Sequence, residues 1–349
     1  YSPVLTSGPA MTSAFLLVLI RYAVPMFIFI TGLVLFYNHG PGEFNYPEFI
    51  RKRFSQIFIP YAAWTAIYYF WSGMGSGHSF SLVLADLVRV TVSGDAAYHL
   101  WFMVAIMQFY LLFPFFRWFI LKFKDRAVSV LSLGLLVYIA LMWFNTYQAP
   151  QIYEQTQLPL LKNLLAYRDR LFISWFFYFL LGGYAGLYAR KLRIILTAIQ
   201  KINVWVYLLS FGLVLLAVVK TGRIGPSGTY MMNYMFTLPL TPAMVIFLTS
   251  SLLTIYYLSL TLFMKNQLIT RILRTFGRYS YGCYFVHALV LYYTNAFIQA
   301  YLPGLAIMAQ LGLAFTACAL ISLALCFLIS LIRLPLGNIL VGKYPPKTT

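Results

Sequence analysis

Apolar residues fill this chain in runs long enough to cross a bilayer, and short polar, turn-rich or basic segments separate the runs. A spanning helix needs about 20 apolar residues. Nine stretches reach or approach that length, at about Ser13–Tyr37, Ile57–Trp71, His99–Phe116, Ala127–Phe144, Leu171–Ala189, Val204–Val219, Leu240–Phe263, Tyr279–Ala300 and Ala306–Ile332. The pattern predicts an all-α fold, a polytopic transmembrane helical bundle of nine spans forming a single domain over residues 1–349. In the first span Pro25 removes a backbone donor and should bend the helix, while Gly32 lets another helix come close. Tyr230–Met264 is too long for one crossing, and Pro239 and Pro242 divide it. Tyr230–Thr237 should then enter as irregular backbone covered by protein or water.

The connections differ in kind. Asn38–Tyr46 is a turn-rich loop, and Pro47–Gln56 (PEFIRKRFSQ) is a basic, half-apolar stretch suited to an interfacial helix. Ser72–Tyr98 is a long polar connection in which Leu82–Val92 reads as a short helix lying on the membrane. Asn145–Arg170 is a second long loop, where Asp169 between Arg168 and Arg170 reads as a solvated charge pair.

Composition rules out a soluble domain, since 62% hydrophobic and 9% charged residues leave too few charges to coat a globular surface. The formal charge of +18 does not point to nucleic acid, because the basic residues fall in short clusters between apolar runs. Those clusters report orientation. If the first span runs from outside to inside, and Arg21 is set aside, the inner segments hold 18 Lys and Arg and the outer segments 6. The expected product is a multi-pass cell-membrane protein with a cytoplasmic C-terminus. An outer start without a signal peptide leads to the expectation of an earlier span before Tyr1. Cys283, Cys318 and Cys326 lie in apolar stretches without metal-ligand spacing and read as packing residues.

Chemistry falls to the ionisable groups inside the apolar runs. Arg21 within the first span costs at least roughly 3 kcal/mol unless it faces a partner or a wet cavity, so it either lines a site or snorkels to the nearer interface. His99 opens the third span beside Tyr98 and Trp101, as an interfacial histidine or as a site residue. His287 lies about 13 Å into the eighth span at 1.5 Å per residue. It either exchanges a proton near neutral pH or makes a structural bond between helices. The run Arg51-Lys52-Arg53 satisfies the positive-inside rule, and it could equally hold the phosphates of a cytoplasmic nucleotide or coenzyme A.

Five stretches together resemble one family, the integral-membrane acyltransferases of family 3: RYAVPMFIFITG from Arg21, FIRKRFSQIFIPYAAW from Phe49, HLWFMVAIMQFYLLFP from His99, SWFFYFLLGGYAG from Ser174 and FGRYSYGCYFVHALV from Phe276. AIMQFYLL, SWFFYFLLGGYAG and the VGKYPPK tail look most like a subgroup linked to poly-N-acetylglucosamine, whose members are described as exporters or as O-acyl (succinyl) transferases. The resemblance implies ten helices in a bacterial plasma membrane, acyl-CoA as co-substrate with no permanently bound cofactor or metal, and a polysaccharide or lipid-linked sugar acceptor. It also implies a family first helix carrying a basic residue and a histidine, which has no counterpart in this sequence. Where the family carries a second arginine in the first inner loop, this chain has Gln56.

On that resemblance the chain reads as an O-acyltransferase for a cell-envelope or extracellular polysaccharide or its precursor. A histidine, in the family's first helix or His287, would take the hydroxyl proton, and Arg21 or aromatic N–H and O–H donors would meet the developing charge. Arg51 and Arg53 would hold the donor, and His99, Trp101 and Tyr110 would line the acceptor side. The alternative is an exporter or flippase of a poly-N-acetylglucosamine-type polysaccharide, and a glycan synthase complex is a possible partner for either.

Overall fold

The computed structural model describes residues 7–224, 230–265, 267–331 and 340. The VGKYPPK tail motif and the basic residues Arg333, Lys343 and Lys347 lie outside them. The helices in chain order are α1 (Ser7–Ile20), α2 (Ala23–Asn38), α3 (Tyr46–Arg53), α4 (Ile59–Trp71), α5 (Phe80–Ser93), α6 (Trp101–Leu111), α7 (Phe113–Lys122) and α8 (Ala127–Trp143). They continue with α9 (Ala149–Gln155), α10 (Pro159–Ala166), α11 (Phe176–Leu187), α12 (Ala189–Lys220), α13 (Pro242–Lys265), α14 (Gln267–Tyr301) and α15 (Ile307–Leu331). Two two-residue strands, Arg223–Ile224 and Tyr230–Met231, pair antiparallel after α12.

Prolines account for most breaks inside the apolar runs. The first span divides at Arg21 and Tyr22, four and three residues before Pro25, because the proline ring excludes a bond to the carbonyl of Arg21. The expected third span divides at Leu112, with Pro114 in the first turn of α7. The basic stretch after Asn45 and the second span form one continuous helical run from Tyr46 to Trp71. A π-turn over Phe54–Phe58 precedes Pro60, which has no N–H to offer Gln56. Elsewhere helix continues where the sequence predicts a loop. α12 and α14 extend through the basic segments that precede their apolar parts, because those segments contain no breaker strong enough to end them. The fifth span is shorter than expected, with 3₁₀ turns before the twelve residues of α11.

By length and apolarity five described stretches can cross a membrane, and α6 with α7 adds a sixth if the two count as one span. This is a helical, multi-pass membrane protein. The chain separates into two compact units. One comprises the chain up to Phe44 with Leu112–Lys265, and the other comprises Asn45–Leu111 with the chain from Asn266 onward.

In the first unit α2 packs against α11 at backbone distance. A Cβ on Gly32 would meet the carbonyl of Phe179, and one on Gly182 or Gly186 would meet the carbonyl of Phe29 or Leu33. Arg117 ties down the loop after α2, donating to the carbonyls of His39 at 3.1 Å and Gly40 at 2.9 Å. The second unit is organised around α14. Tyr68 of α4 donates to the carbonyl of Phe285 at 2.6 Å, Tyr281 donates to the carbonyl of Ile57 at 3.0 Å, and Trp64 stacks on Phe285. The segment expected to lie on the membrane is helix α5. Its C-terminal end docks on α4, where Tyr61 donates to the carbonyl of Thr91 at 2.6 Å.

Candidate functional site

Within the second unit two histidines from opposite ends of the sequence come together. His99 lies in the turn before α6 and His287 on α14, with ring centroids 4.8 Å apart. The carbonyl of Tyr284, one turn earlier on α14, can only accept, so His287 Nδ1 at 2.7 Å is the donor. That bond fixes the tautomer and leaves the lone pair on Nε2, which faces the hydroxyl of Tyr98 at 3.3 Å. Tyr284 in turn donates its hydroxyl to the carbonyl of His99 and so holds the turn against the helix.

His99 is buried at 7% exposure among aromatic rings, with Tyr98 and Tyr284 centroids at 5.2 Å and Tyr68 at 5.3 Å. Neither of its ring nitrogens has a partner in good hydrogen-bond geometry. A buried polar group left unmet costs about 1–3 kcal/mol, so a well-packed apolar ring would be the cheaper occupant of this position. The arrangement is an imidazole whose Nε2 faces a phenol, beside a second, buried imidazole whose nitrogens lack a partner in good hydrogen-bond geometry.

Trp101 begins α6 beside the close of α5. Gly94 there adopts a left-handed φ of 74°, and a Cβ on it would stand 2.7 Å from Trp101 Cα. Tyr110 lies a few turns further along α6 and does not join the histidines: its ring sits under Arg53, whose guanidinium carbon is 5.2 Å from the ring centres of both Tyr110 and Phe49. Arg51 is exposed on α3, whereas Arg53 turns towards a cavity between α3, α4, α5 and α6. Two residues apart on a helix face different ways. Arg21 belongs to the first unit. It lies at the break between α1 and α2, donates to the Thr237 hydroxyl at 3.3 Å, and keeps its buried Nε without a partner. Thr237 can hold it because it passes its own proton to the carbonyl of Tyr234 at 2.8 Å. Sequence reasoning missed Thr237 and Tyr284, although Tyr284 and His287 at i, i+3 share one helix face.

Over residues 2–331 the chain matches the family described as acyltransferase domain. It belongs to that family. Among curated relatives, a Staphylococcus epidermidis protein named as a probable poly-beta-1,6-N-acetyl-D-glucosamine export protein is 26% identical over 287 residues, covering 79% of this chain and 71% of the relative. A Bacillus subtilis protein named for a membrane-bound acyltransferase role, YfiQ, is 24% identical over 274 residues, covering 77% of this chain and 68% of its own. No solved structure matches the chain. Membership in the acyltransferase domain family and several apolar helices identify the chain as an acyltransferase-family membrane protein related to polysaccharide export and acyltransferase proteins.

Proposed function

We propose that this chain transfers an acetyl or succinyl group from acyl-CoA to a hydroxyl of a cell-envelope or extracellular polysaccharide, or of its lipid-linked precursor. The observation that carries the reading is the pairing of His287 with Tyr98 and His99. His287 Nε2, directly or through the Tyr98 hydroxyl, takes the acceptor's proton as its oxygen attacks the thioester carbonyl. A C–O bond forms and the C–S bond breaks. The thiolate of coenzyme A leaves and receives the proton from the imidazolium. His99 and Trp101 at the start of α6 stand on the acceptor side, and Tyr110, expected with them, is set apart under Arg53. The hydroxyls of Tyr68 and Tyr284 are already given to carbonyls, and Arg21 is proposed as a cation for negative charge in the first unit. Of the two arginines expected to hold the donor, Arg51, exposed at the end of α3, is the cation open to its phosphates, whereas Arg53 turns into the cavity against Phe49 and Tyr110.

The charge distribution supports nine spans with the basic segments and the C-terminus in the cytoplasm of a bacterium, where acyl-CoA is available. In membranes holding the full protein, radiolabelled acyl-CoA and purified polymer should yield labelled ester, and His287→Gln should lower the rate by about 10²–10⁴. Ester formed equally by the His287→Gln protein would remove His287 from the reaction. A second reading, export of the polymer, rests on the name of the staphylococcal relative. It expects polymer trapped inside cells on deletion, with its ester content unchanged, and a glycan synthase as partner.

A further inference from the structure

Between α3, α4, α5 and α6 of the second unit lies a cavity of about 590 Å³, within the several-hundred-Å³ range of small-molecule sites. Its walls are apolar, with Ile50, Ile57, Val88, Val92 and Val104 among them. Two of its polar side chains are directed onto their own helices, Thr91 Oγ1 to the carbonyl of Leu87 at 2.6 Å and Gln108 Nε2 to that of Val104 at 3.1 Å. Arg53 is the exception. Its guanidinium stacks between the rings of Phe49 and Tyr110, its buried Nε has no hydrogen-bond partner, and no carboxylate lines the cavity among the described residues. A permanent cation set in an apolar wall without a counter-ion calls for an anion. Phe54, Val88, Val92 and Leu111 at the rim are exposed, so in a membrane the cavity opens among lipid chains.

We infer that this cavity binds an anionic phospholipid of the surrounding bilayer, with its phosphate on Arg53 and one acyl chain along α5 and α6. Acyl-CoA fits this place less well, because a long polar pantetheine arm separates its phosphates from the acyl group. Here the cation and the apolar wall are contiguous, as phosphate and chain are in a phospholipid. The inference rests on the chain spanning a bilayer and not on the acyl-transfer reaction, so the ester assay above can fail while this site stands.

The test is native mass spectrometry of the full chain released from nanodiscs of equal phosphatidylglycerol and phosphatidylcholine. The wild-type protein should retain phosphatidylglycerol over phosphatidylcholine by about fivefold, the scale of one basic residue near a lipid surface. Arg53→Gln should abolish the preference, Arg53→Lys should keep most of it, and Val88→Trp should reduce adducts of both lipids by filling the cavity. Near-native melting of each variant in detergent excludes unfolding as the cause. Equal retention of the two lipids by wild type, or an unchanged preference in Arg53→Gln, overturns the proposal. Displacement of the adduct by stoichiometric polyprenyl phosphate, or by acyl-CoA, overturns it in favour of that ligand.

Discussion

At the scale of the single residue, His99 offers a separation of stability from function. Its nitrogens are buried without partners in good hydrogen-bond geometry, so replacing the ring by one of similar shape with nothing to satisfy should not weaken the fold. His99→Phe is expected to melt at or above the wild-type temperature, by up to about 1 kcal/mol of stability, while labelled-ester formation falls by at least about 10². A variant that is both stable and fully active would make His99 a packing residue. Its neighbour could not be read from the sequence: Tyr98 and His287 are 189 positions apart, and nothing in either segment names the other. What could be read was the anomaly itself, an imidazole at the mouth of one apolar run, His99, and another inside a second run, His287. The same holds for Arg53, which the sequence grouped with Arg51 and Lys52 as one cationic cluster. Helix geometry turns it away from Arg51 and onto the rings of Phe49 and Tyr110.

At the scale of the element, the contact of α2 with α11 is made by absent side chains. Lipid chains are as apolar as leucine, so helices in a bilayer gain by close packing rather than by burial from water. Gly182 sits where a Cβ would strike the carbonyl of Phe29, whereas a Cβ on Gly212 of α12 meets nothing within 4 Å. Gly182→Ala should therefore lose about 1–3 kcal/mol through overpacking, read as a lower melting temperature of the detergent-purified chain. Gly212→Ala should be neutral or gain up to about 1 kcal/mol from helix propensity. Equal effects of the two changes would show that the α2–α11 approach is not what holds this unit. Elements were the most legible part of the fold. Pro25 marked a bend, and the structure breaks the helix just before it, whereas the expected third span ran through Pro114 and the structure divides it there at Leu112. The ends of α12 and α14 were not legible, because hydropathy marks where the bilayer ends while the backbone stops only at a breaker or a cap.

At the scale of the whole molecule the open quantity is topology, and charge and helix length bear on it together. α12 has 32 residues and α14 has 35, which at 1.5 Å per residue is about 48 and 52 Å against a hydrocarbon core of about 30 Å. The surplus of both helices lies at the N-terminal end, where Lys191 and Arg193 open α12 and Arg271, Arg274 and Arg278 open α14. Those ends should therefore stand in the cytoplasm, as the excess of basic residues requires, and the chain should cross once between each basic segment and the next polar connection. Single cysteines placed after replacement of Cys283, Cys318 and Cys326 make the expectation measurable. Ser76→Cys and Gln157→Cys, exposed in the two long polar connections, should react with a membrane-impermeant maleimide on intact cells. Asp125→Cys and Arg274→Cys, also exposed, should react only after the cells are opened. Reaction at position 125 in intact cells would invert the orientation and place Arg51 on the side of the membrane away from acyl-CoA. The donor assignment would then fail, since it depends on the basic face being the cytoplasmic one.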